Sequence, residues 1–436
     1  MAKKEKVLIL SYYFPPCNLT PSERIFSWAR YLKKGDYYPI IITRNWDLPV
    51  TNSTTAAFQS SGDKVRIEKH DDYEVHYLPY TSSLKDKAFI KLDGTKYYFL
   101  YLILAFISNL TNLIVVKRSA FSSFYYYTRS LLKQEQDIDK MIVSASPYEL
   151  FGIAFHLCKF KPLKWIADYR DDWSTSEVYH SSAFKKLLNV FNGYYEKRWL
   201  STCTSFISVS GHYVEKISRF IGKPGEVLTN GYMPENYVAT PEPFDLFTIT
   251  YVGSIYPTQP IELFLDGITS FIDSKKECQM QVYFVGIKNE HGIMQRIAQS
   301  IKGYEGYFKF TERVDKQEAI RIQGQSHLLL ICSHNNLKGI PGSKLYEYIA
   351  LRKNVIVYPS DGDIVENTLR ETGQGIICHN MKEFNEHLDV LYTRYKQGTS
   401  NMDHFNERAI RKYSREGQAD LLIQYLDACS NNNNKG

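Results

Sequence analysis

The stretch ATPEPFDLFTITYVGS, residues 239–254, decides how the chain folds. Its first seven residues, Ala239 to Asp245, combine two prolines with polar side chains, the composition of a linker, because proline joins neither a strand ladder nor a helix interior. From Phe247 an apolar, partly β-branched run begins and stops at Gly253-Ser254, the pattern of a buried strand closed by a turn. One series of strands ends before this linker and another starts after it. Two domains follow.

Before the linker the strand runs are KVLIL (Lys6 to Leu10), PIIIT (Pro39 to Thr43), KMIVSAS (Lys140 to Ser146), WIADYRD (Trp165 to Asp171), SFISVS (Ser205 to Ser210) and EVLTNGY (Glu226 to Tyr232). After it come FTITYVGS, QVYFVG (Gln281 to Gly286), YFKFTERV (Tyr307 to Val314), HLLLICS (His327 to Ser333) and NVIVYPS (Asn354 to Ser360). Stretches of helical period, such as SERIFSWARYL and YVEKISRFI, lie between most of them. Near-continuous apolar strands alternating with helices imply parallel sheets covered on both faces. The expected class is therefore α/β, with doubly wound parallel-sheet domains at 1–240 and 246–400. A length of 436 residues suits two such cores.

Composition narrows the function. With 44% hydrophobic and 23% charged residues the chain is ordinary globular material. A formal charge of +6 without a dense basic block argues against nucleic acid as partner and fits anionic ligands or an anionic membrane surface. Seven scattered cysteines without a Cys-x-x-Cys pair argue against a disulfide framework and against a zinc site, and predict reduced thiols in a cytoplasmic protein. The start, MAKKEKVLILSYYF, runs straight into a strand pattern, unlike a signal peptide. The polar end, 429–436, is expected to be disordered. The run 97–116, YYFLYLILAFISNLTNLIVV, is long enough to reach across a bilayer, but Ser108, Asn109, Thr111 and Asn112 cluster in its second half, where lipid penalises them. A buried or capping helix fits, and so does an interfacial membrane-docking helix flanked by Lys96, Lys117 and Arg118.

Ligands of open α/β sheets bind beyond the carboxyl ends of the strands, so residues that follow strand runs matter most. After the first strand comes SYYFPPCNLTPSERIFSWARYL, without the Gly-x-Gly-x-x-Gly of a dinucleotide site. Arg24 there is placed to reach into a cleft, or is a solvated helix charge. Asp168-Tyr169-Arg170-Asp171-Asp172-Trp173 puts four charges into five residues at a strand end, which cannot be buried unpaired. They form either an ion network capping the sheet or a site in which a carboxylate orients or deprotonates a sugar hydroxyl. Gly253 and Ser254 offer backbone amides to a phosphate. The stretch GIPGSKLYEYIA, 339–350, starts a helix whose first amides lack internal partners and favour an anion. Gly342 permits close approach, Ser343 can cap, Lys344 suits a diphosphate, and Glu347 can accept from a ribose diol. An ordinary capped amphipathic helix is the alternative.

In order, SYYFPP (11–16), SASPYELFGIA (144–154), WIADYRDDW (165–173), ISVS followed by LTNGY, YVGSIY (251–256) and KLYEYIALRKNVIVY (344–358) make the chain resemble glycosyltransferase family 4, from about Lys6 to about Arg370. The resemblance implies a GT-B architecture, two Rossmann-like domains facing across a cleft, with a helix at 401–428 crossing back to the first. It implies retaining transfer of a sugar from a nucleotide-diphosphate donor to an acceptor hydroxyl, with no cofactor and no metal. Asp168, Arg170 and Asp171 would line the reaction centre. Gly253, Ser254, Arg313, Gly342, Ser343, Lys344 and Glu347 would hold the donor, and Pro16, Arg24 and Ser146 the acceptor side. Relatives with an Asp-x-Arg-Asp-x-Trp motif act in cell-surface polysaccharide assembly on lipid-linked acceptors, which suits a cytoplasmic protein peripheral to the inner face of the membrane. Two positions depart from the pattern. Gly339 stands where relatives keep a Glu, and no basic residue follows Gly253, so Lys344 must serve, helped by Lys338 or Arg313. These departures motivate an alternative: a non-catalytic binding subunit of a polysaccharide-assembly complex.

Overall fold

Eight strands form the first sheet of the computed structural model: β1 (Glu5–Ser11), β2 (Tyr37–Arg44), β3 (Arg66–Lys69), β4 (Glu74–Leu78), β5 (Lys140–Ala145), β6 (Lys164–Tyr169), β7 (Ser205–Ser208) and β8 (Gly225–Val227). The residues described are 4–46, 58–92, 97–177, 183–237, 241–399 and 405–431. Part of the linker (239–240), the start of the expected crossing helix (401–404) and the end of the expected tail (432–436) lie outside them, as does Lys96. The sheet order is β3-β4-β2-β1-β5-β6-β7-β8, parallel except for the β3/β4 pair. β1 is central because Val7 to Leu10 are apolar on both faces and fully buried, with Leu8 in register with Ile40 on one side and Met141 on the other. The chain winds outward from β1 through β2 and then jumps back to β5. That reversal leaves a crevice-forming switch point at the carboxyl ends of β1 and β5.

The second sheet has six strands: β9 (Phe247–Val252), β10 (Met280–Val285), β11 (Phe308–Phe310), β12 (Leu328–Ile331), β13 (Val355–Val357) and β14 (Gly375–Ile377). Its order, β11-β10-β9-β12-β13-β14, is all parallel. This is the 3-2-1-4-5-6 winding of a Rossmann domain, with the switch point between β9 and β12. Helices cover both faces. Ile249, Val282 and Leu330 pack with Phe264, Ile268 and Phe384 on one side, while Leu329 and Val357 pack with Leu345, Ile349 and Leu369 on the other.

The chain divides into one unit of Met1–Thr229 with Gln418–Gly436 and another of Asn230–Gly417. The last helix, Arg415–Asn431, therefore belongs to the first unit from Gln418 onward. Leu422 and Leu426 enter the core beside Trp28, Leu32 and Tyr37, and the Tyr37 hydroxyl donates to Asp427 at 2.5 Å. Leu422 has no exposed surface, so Leu422→Ala is expected to cost about 2–5 kcal/mol in denaturant unfolding of the first unit.

Three features differ from expectation. β3 and β4 pair as a hairpin that the strand pattern does not reveal, because RIEK is a mostly exposed, charged edge. Of EVLTNGY only Glu226 and Val227 lie in β8; the Leu228 amide still donates to the Ser208 carbonyl, while the Leu228 and Thr229 carbonyls accept from Arg24. The apolar run forms a helix, Tyr98–Ile114, of which only Asn112 and Leu113 are buried, so of the forms expected for it the buried one does not occur. Asn112 turns inward and donates to Glu149 at 3.1 Å. Among the described residues no helix is long and apolar enough to cross a membrane.

Candidate functional site

In the second unit the loops after β9 and β12 separate at the switch point and are then tied together. Gly253 follows β9 at φ +84, a left-handed conformation that suits glycine, and nothing lies within 4 Å of where a Cβ would sit. The adjoining turn is locked by Gln259, which accepts from the Tyr256 amide at 2.9 Å and donates to the Cys332 carbonyl at 2.6 Å. The Asn335 amide donates to the Thr258 carbonyl at 2.7 Å. Gly286, at φ +94 after β10, faces both Gly253 and the Arg313 backbone at about 4 Å, so a glycine there lets three strand-end loops approach. Arg313 itself is exposed beside them, and so is Lys338.

The helix Ser343–Ala350 begins at this junction. Gly342 is its N-cap and no side chain caps it. Ser343 therefore does not act as the expected cap: it is the first helical residue, one position too late to accept from the second or third amide. Gly342 and Ser343 are both exposed. The helix is anchored from behind, where the Tyr348 hydroxyl accepts from the Val252 amide at 3.2 Å. Lys344 lies half-buried, its Nζ 3.7 Å from the centroid of the Tyr251 ring. Among the described residues no carboxylate reaches it to form an ion pair. Desolvation pushes its ammonium down to about 7, against the weaker pull of Cys332, Glu347 and Glu290. Glu347 follows one turn later, half-buried. The Ser254 hydroxyl donates to Glu290 at 2.6 Å, which leaves its backbone amide, the group expected to meet a phosphate, uninvolved in that contact. Gly339 adopts φ +76 and its amide donates to Asp363 at 2.7 Å. That conformation strains any other residue, which accounts for the absent Glu.

A cavity of about 640 Å³ in the same unit is lined by Phe247, Leu328 and Asn354, at the amino ends of β9, β12 and β13. Ligands of such sheets bind at the opposite ends, so this cavity is not the candidate site.

In the first unit the charged strand end after β6 resolves into separate roles. Asp168 is fully buried, and Arg24 holds it with Nη2 at 2.8 Å and Nε at 3.2 Å, while the Ser144 hydroxyl donates to it at 2.7 Å. Arg24, 1% exposed, spends its other donors on the Thr229 and Leu228 carbonyls. Both residues are thus corrected from substrate-facing groups to a buried pair that braces β6 against the first helix, Thr20–Tyr31, and the end of β8. Asp172 is buried with Lys216 at 2.9 Å. Trp173 stacks on Tyr148, ring centroids 4.7 Å apart, and on Trp199. Tyr169 and Ser174 donate to the buried Glu196, whose carboxyl is raised above its usual range by burial. Arg170 donates to the Ala145 carbonyl at 2.6 Å and to that of Ser146 at 3.3 Å, over the ring of Tyr13. Asp171 is the exposed residue of the group; among the described residues its carboxylate takes no hydrogen bond, and desolvation holds it above its usual range. Pro16 is exposed after β1 and Ser146 half-buried after β5. The open groups at this switch point are therefore Tyr13, Pro16, Ser146, Arg170 and Asp171. Tyr13, Gly286, Tyr251 and Tyr348 escaped the sequence reading.

Among the described residues no three His, Cys, Asp or Glu side chains converge to hold a metal ion.

Two Rossmann-like parallel-sheet units in one chain define a GT-B fold. Solved structures share it along nearly the whole chain. Sucrose-phosphate synthase from Thermosynechococcus elongatus matches with a TM-score of 0.62 and 12% identity, covering 97% of this chain and 98% of that one. A glycosyltransferase from Rickettsia africae matches with a TM-score of 0.60 and 13% identity, over 98% and 99% of the two chains. Anabaena HepE, in complex with UDP and glucose, matches with a TM-score of 0.53 and 11% identity, over 97% and 100%. No family model and no curated protein matches the chain.

Proposed function

We propose that the protein is a retaining glycosyltransferase that moves a sugar from a nucleotide-diphosphate donor to an acceptor hydroxyl, without metal or cofactor. The observation that carries this reading is an uncapped helix N-terminus beside an ammonium that meets no carboxylate among the described residues, at the switch point of a Rossmann sheet. Helix amides and a nearby cation favour a diphosphate, and they offset the charge that develops on it as it leaves. Gly253, Gly342 and Ser343 give it access, Arg313 adds an exposed cation, and Glu347 accepts from the ribose diol. That HepE, of the same fold, was solved with UDP and glucose supports this donor class. In the first unit Asp171 is the carboxylate open to the substrate. Arg170 fixes the loop beside it, and Pro16 and Ser146 border the acceptor. The acceptor is a lipid-linked saccharide of cell-surface polysaccharide assembly, met at the inner face of the membrane by a cytoplasmic protein.

A second reading, a binding subunit without turnover, draws on Gly339 and on Ser254 being tied to Glu290. A panel of sugar nucleotides separates the possibilities. Under the first reading one donor at 100 times its Kd stabilises the protein by about 2.7 kcal/mol and yields product with an acceptor. Stabilisation without product favours the binding subunit, and a melting curve unmoved by every donor contradicts both. Glu347→Ala is expected to weaken donor binding about tenfold, through loss of a charge-assisted hydrogen bond of about 1.5 kcal/mol, read by calorimetric titration.

A further inference from the structure

The helix Tyr98–Ile114 is built from apolar residues, yet most of them face outward. Phe99, Ile103 and Ile107, spaced four apart along one face, are 55%, 53% and 51% exposed. Soluble surfaces rarely leave such a contiguous patch uncovered. The helix Leu84–Leu92 packs beside it and adds exposed Leu84 and Ile90, and the helix Ala183–Leu200 packs on it and adds exposed Leu187 and Val190. Tyr97 and Tyr98 stand exposed at one end, the position aromatic residues take at a membrane–water interface.

The rim is basic. Lys85, Lys87, Lys91 and Arg118 flank the apolar face, against a single described carboxylate in residues 84–92 and 97–118, Asp86. Asp86 is buried and accepts from Tyr80 and Ser83, so it presents no charge to that face. On the inner side, Lys117, Lys159 and Arg198 act on His156 and, after burial, hold its imidazole down at about 4.

We infer that this face docks on an anionic bilayer surface, with the helix lying in the headgroup region and the cations on lipid phosphates. A cationic rim around an apolar strip matches such a surface in both charge and polarity. The 17-residue helix is about 25 Å long, too short to cross and interrupted by Ser108, Asn109, Thr111 and Asn112 in its second half. A protein partner would leave the one-sided excess of cations unmatched unless it were itself acidic. The inference is independent of sugar transfer, since it would hold for a non-catalytic protein as well.

Co-sedimentation of the full chain with phosphatidylglycerol-containing and with pure phosphatidylcholine vesicles tests it, alongside size-exclusion chromatography. The wild type is expected to bind the anionic vesicles at least tenfold more tightly, and less so as salt rises. Phe99→Ser/Ile103→Ser/Ile107→Ser should lose vesicle binding, and Lys87→Glu/Lys91→Glu/Arg118→Glu should lose its anionic preference. Both sets replace exposed side chains, and unchanged melting curves confirm that they fold. A Leu102→Trp probe, quenched by brominated lipid only when docked, reports insertion directly. Failure to bind any vesicle, or a dimer abolished by the apolar substitutions while brominated vesicles leave the introduced indole unquenched, would overturn the inference.

Discussion

Asp168→Ala is expected to destabilise the first unit by about 3–5 kcal/mol in denaturant unfolding, because it strands the Arg24 guanidinium in the interior. The pair is almost wholly buried, so water cannot take over the lost contacts. Arg24 also supplies donors to two carbonyls at the end of β8, and Asp168 accepts from Ser144 on β5. Removing either partner therefore loosens three strands and the first helix together. The double variant Arg24→Met/Asp168→Leu should recover much of the loss, since two apolar side chains need no partner. Single variants within about 0.5 kcal/mol of wild type, the range of an ordinary surface substitution, would show that the pair does not brace the sheet. Asp171→Asn, at the exposed neighbour, should leave stability unchanged and reduce product formation instead.

Lys344→Met is expected to reduce donor affinity by about 2–5 kcal/mol, or roughly 30-fold or more, while leaving the stability of the free protein unchanged or higher. The ammonium sits on the Tyr251 ring with no carboxylate against it among the described residues, so in the free protein its desolvation is only partly offset. Binding supplies the missing countercharge. The same geometry sets a pH dependence. Lys344 in the folded chain titrates at about 7, below its ordinary 10.5, so between those values the unfolded chain binds a proton that the folded one does not. This group therefore makes the free protein more stable as pH rises from 7 toward 10.5. Donor binding runs the opposite way. The diphosphate favours the charged lysine, so above pH 7 binding takes up a proton, and affinity should fall by up to about tenfold per pH unit. A sugar nucleotide is the suitable probe, because its diphosphate does not itself titrate in that range. Calorimetry in buffers of different ionisation enthalpy reads the proton uptake directly, and Lys344→Met should abolish both the uptake and the slope. A pH-independent affinity in the wild type would remove Lys344 from the diphosphate site.

The central strands were legible because each carries a short, mostly apolar run of strand length. β1, β5, β6, β9 and β12 all show this. β3 was not, since an exposed charged edge carries no hydrophobic period. At the site, the helix beginning at Ser343 was readable from its glycines, while the identity of its cap depended on where the first turn begins. The cluster after β6 was recognisable as charges that need partners. Which partner each one took was hidden, because Arg24 lies 144 residues from Asp168 in sequence and Lys216 lies 44 from Asp172. Gly339 read as a missing carboxylate, and only its backbone conformation shows what the glycine is for. Pairings across a sheet depend on topology, and local sequence does not contain them.

A structure of the full chain with a nucleoside diphosphate bound tests the account most directly. The account predicts a phosphate about 3 Å from the amides of Ser343 and Lys344, the Lys344 ammonium drawn from the Tyr251 ring toward it, and the ribose hydroxyls on Glu347. A nucleotide lodged elsewhere in the second unit, with the Ser343 amide and Lys344 untouched, would contradict it.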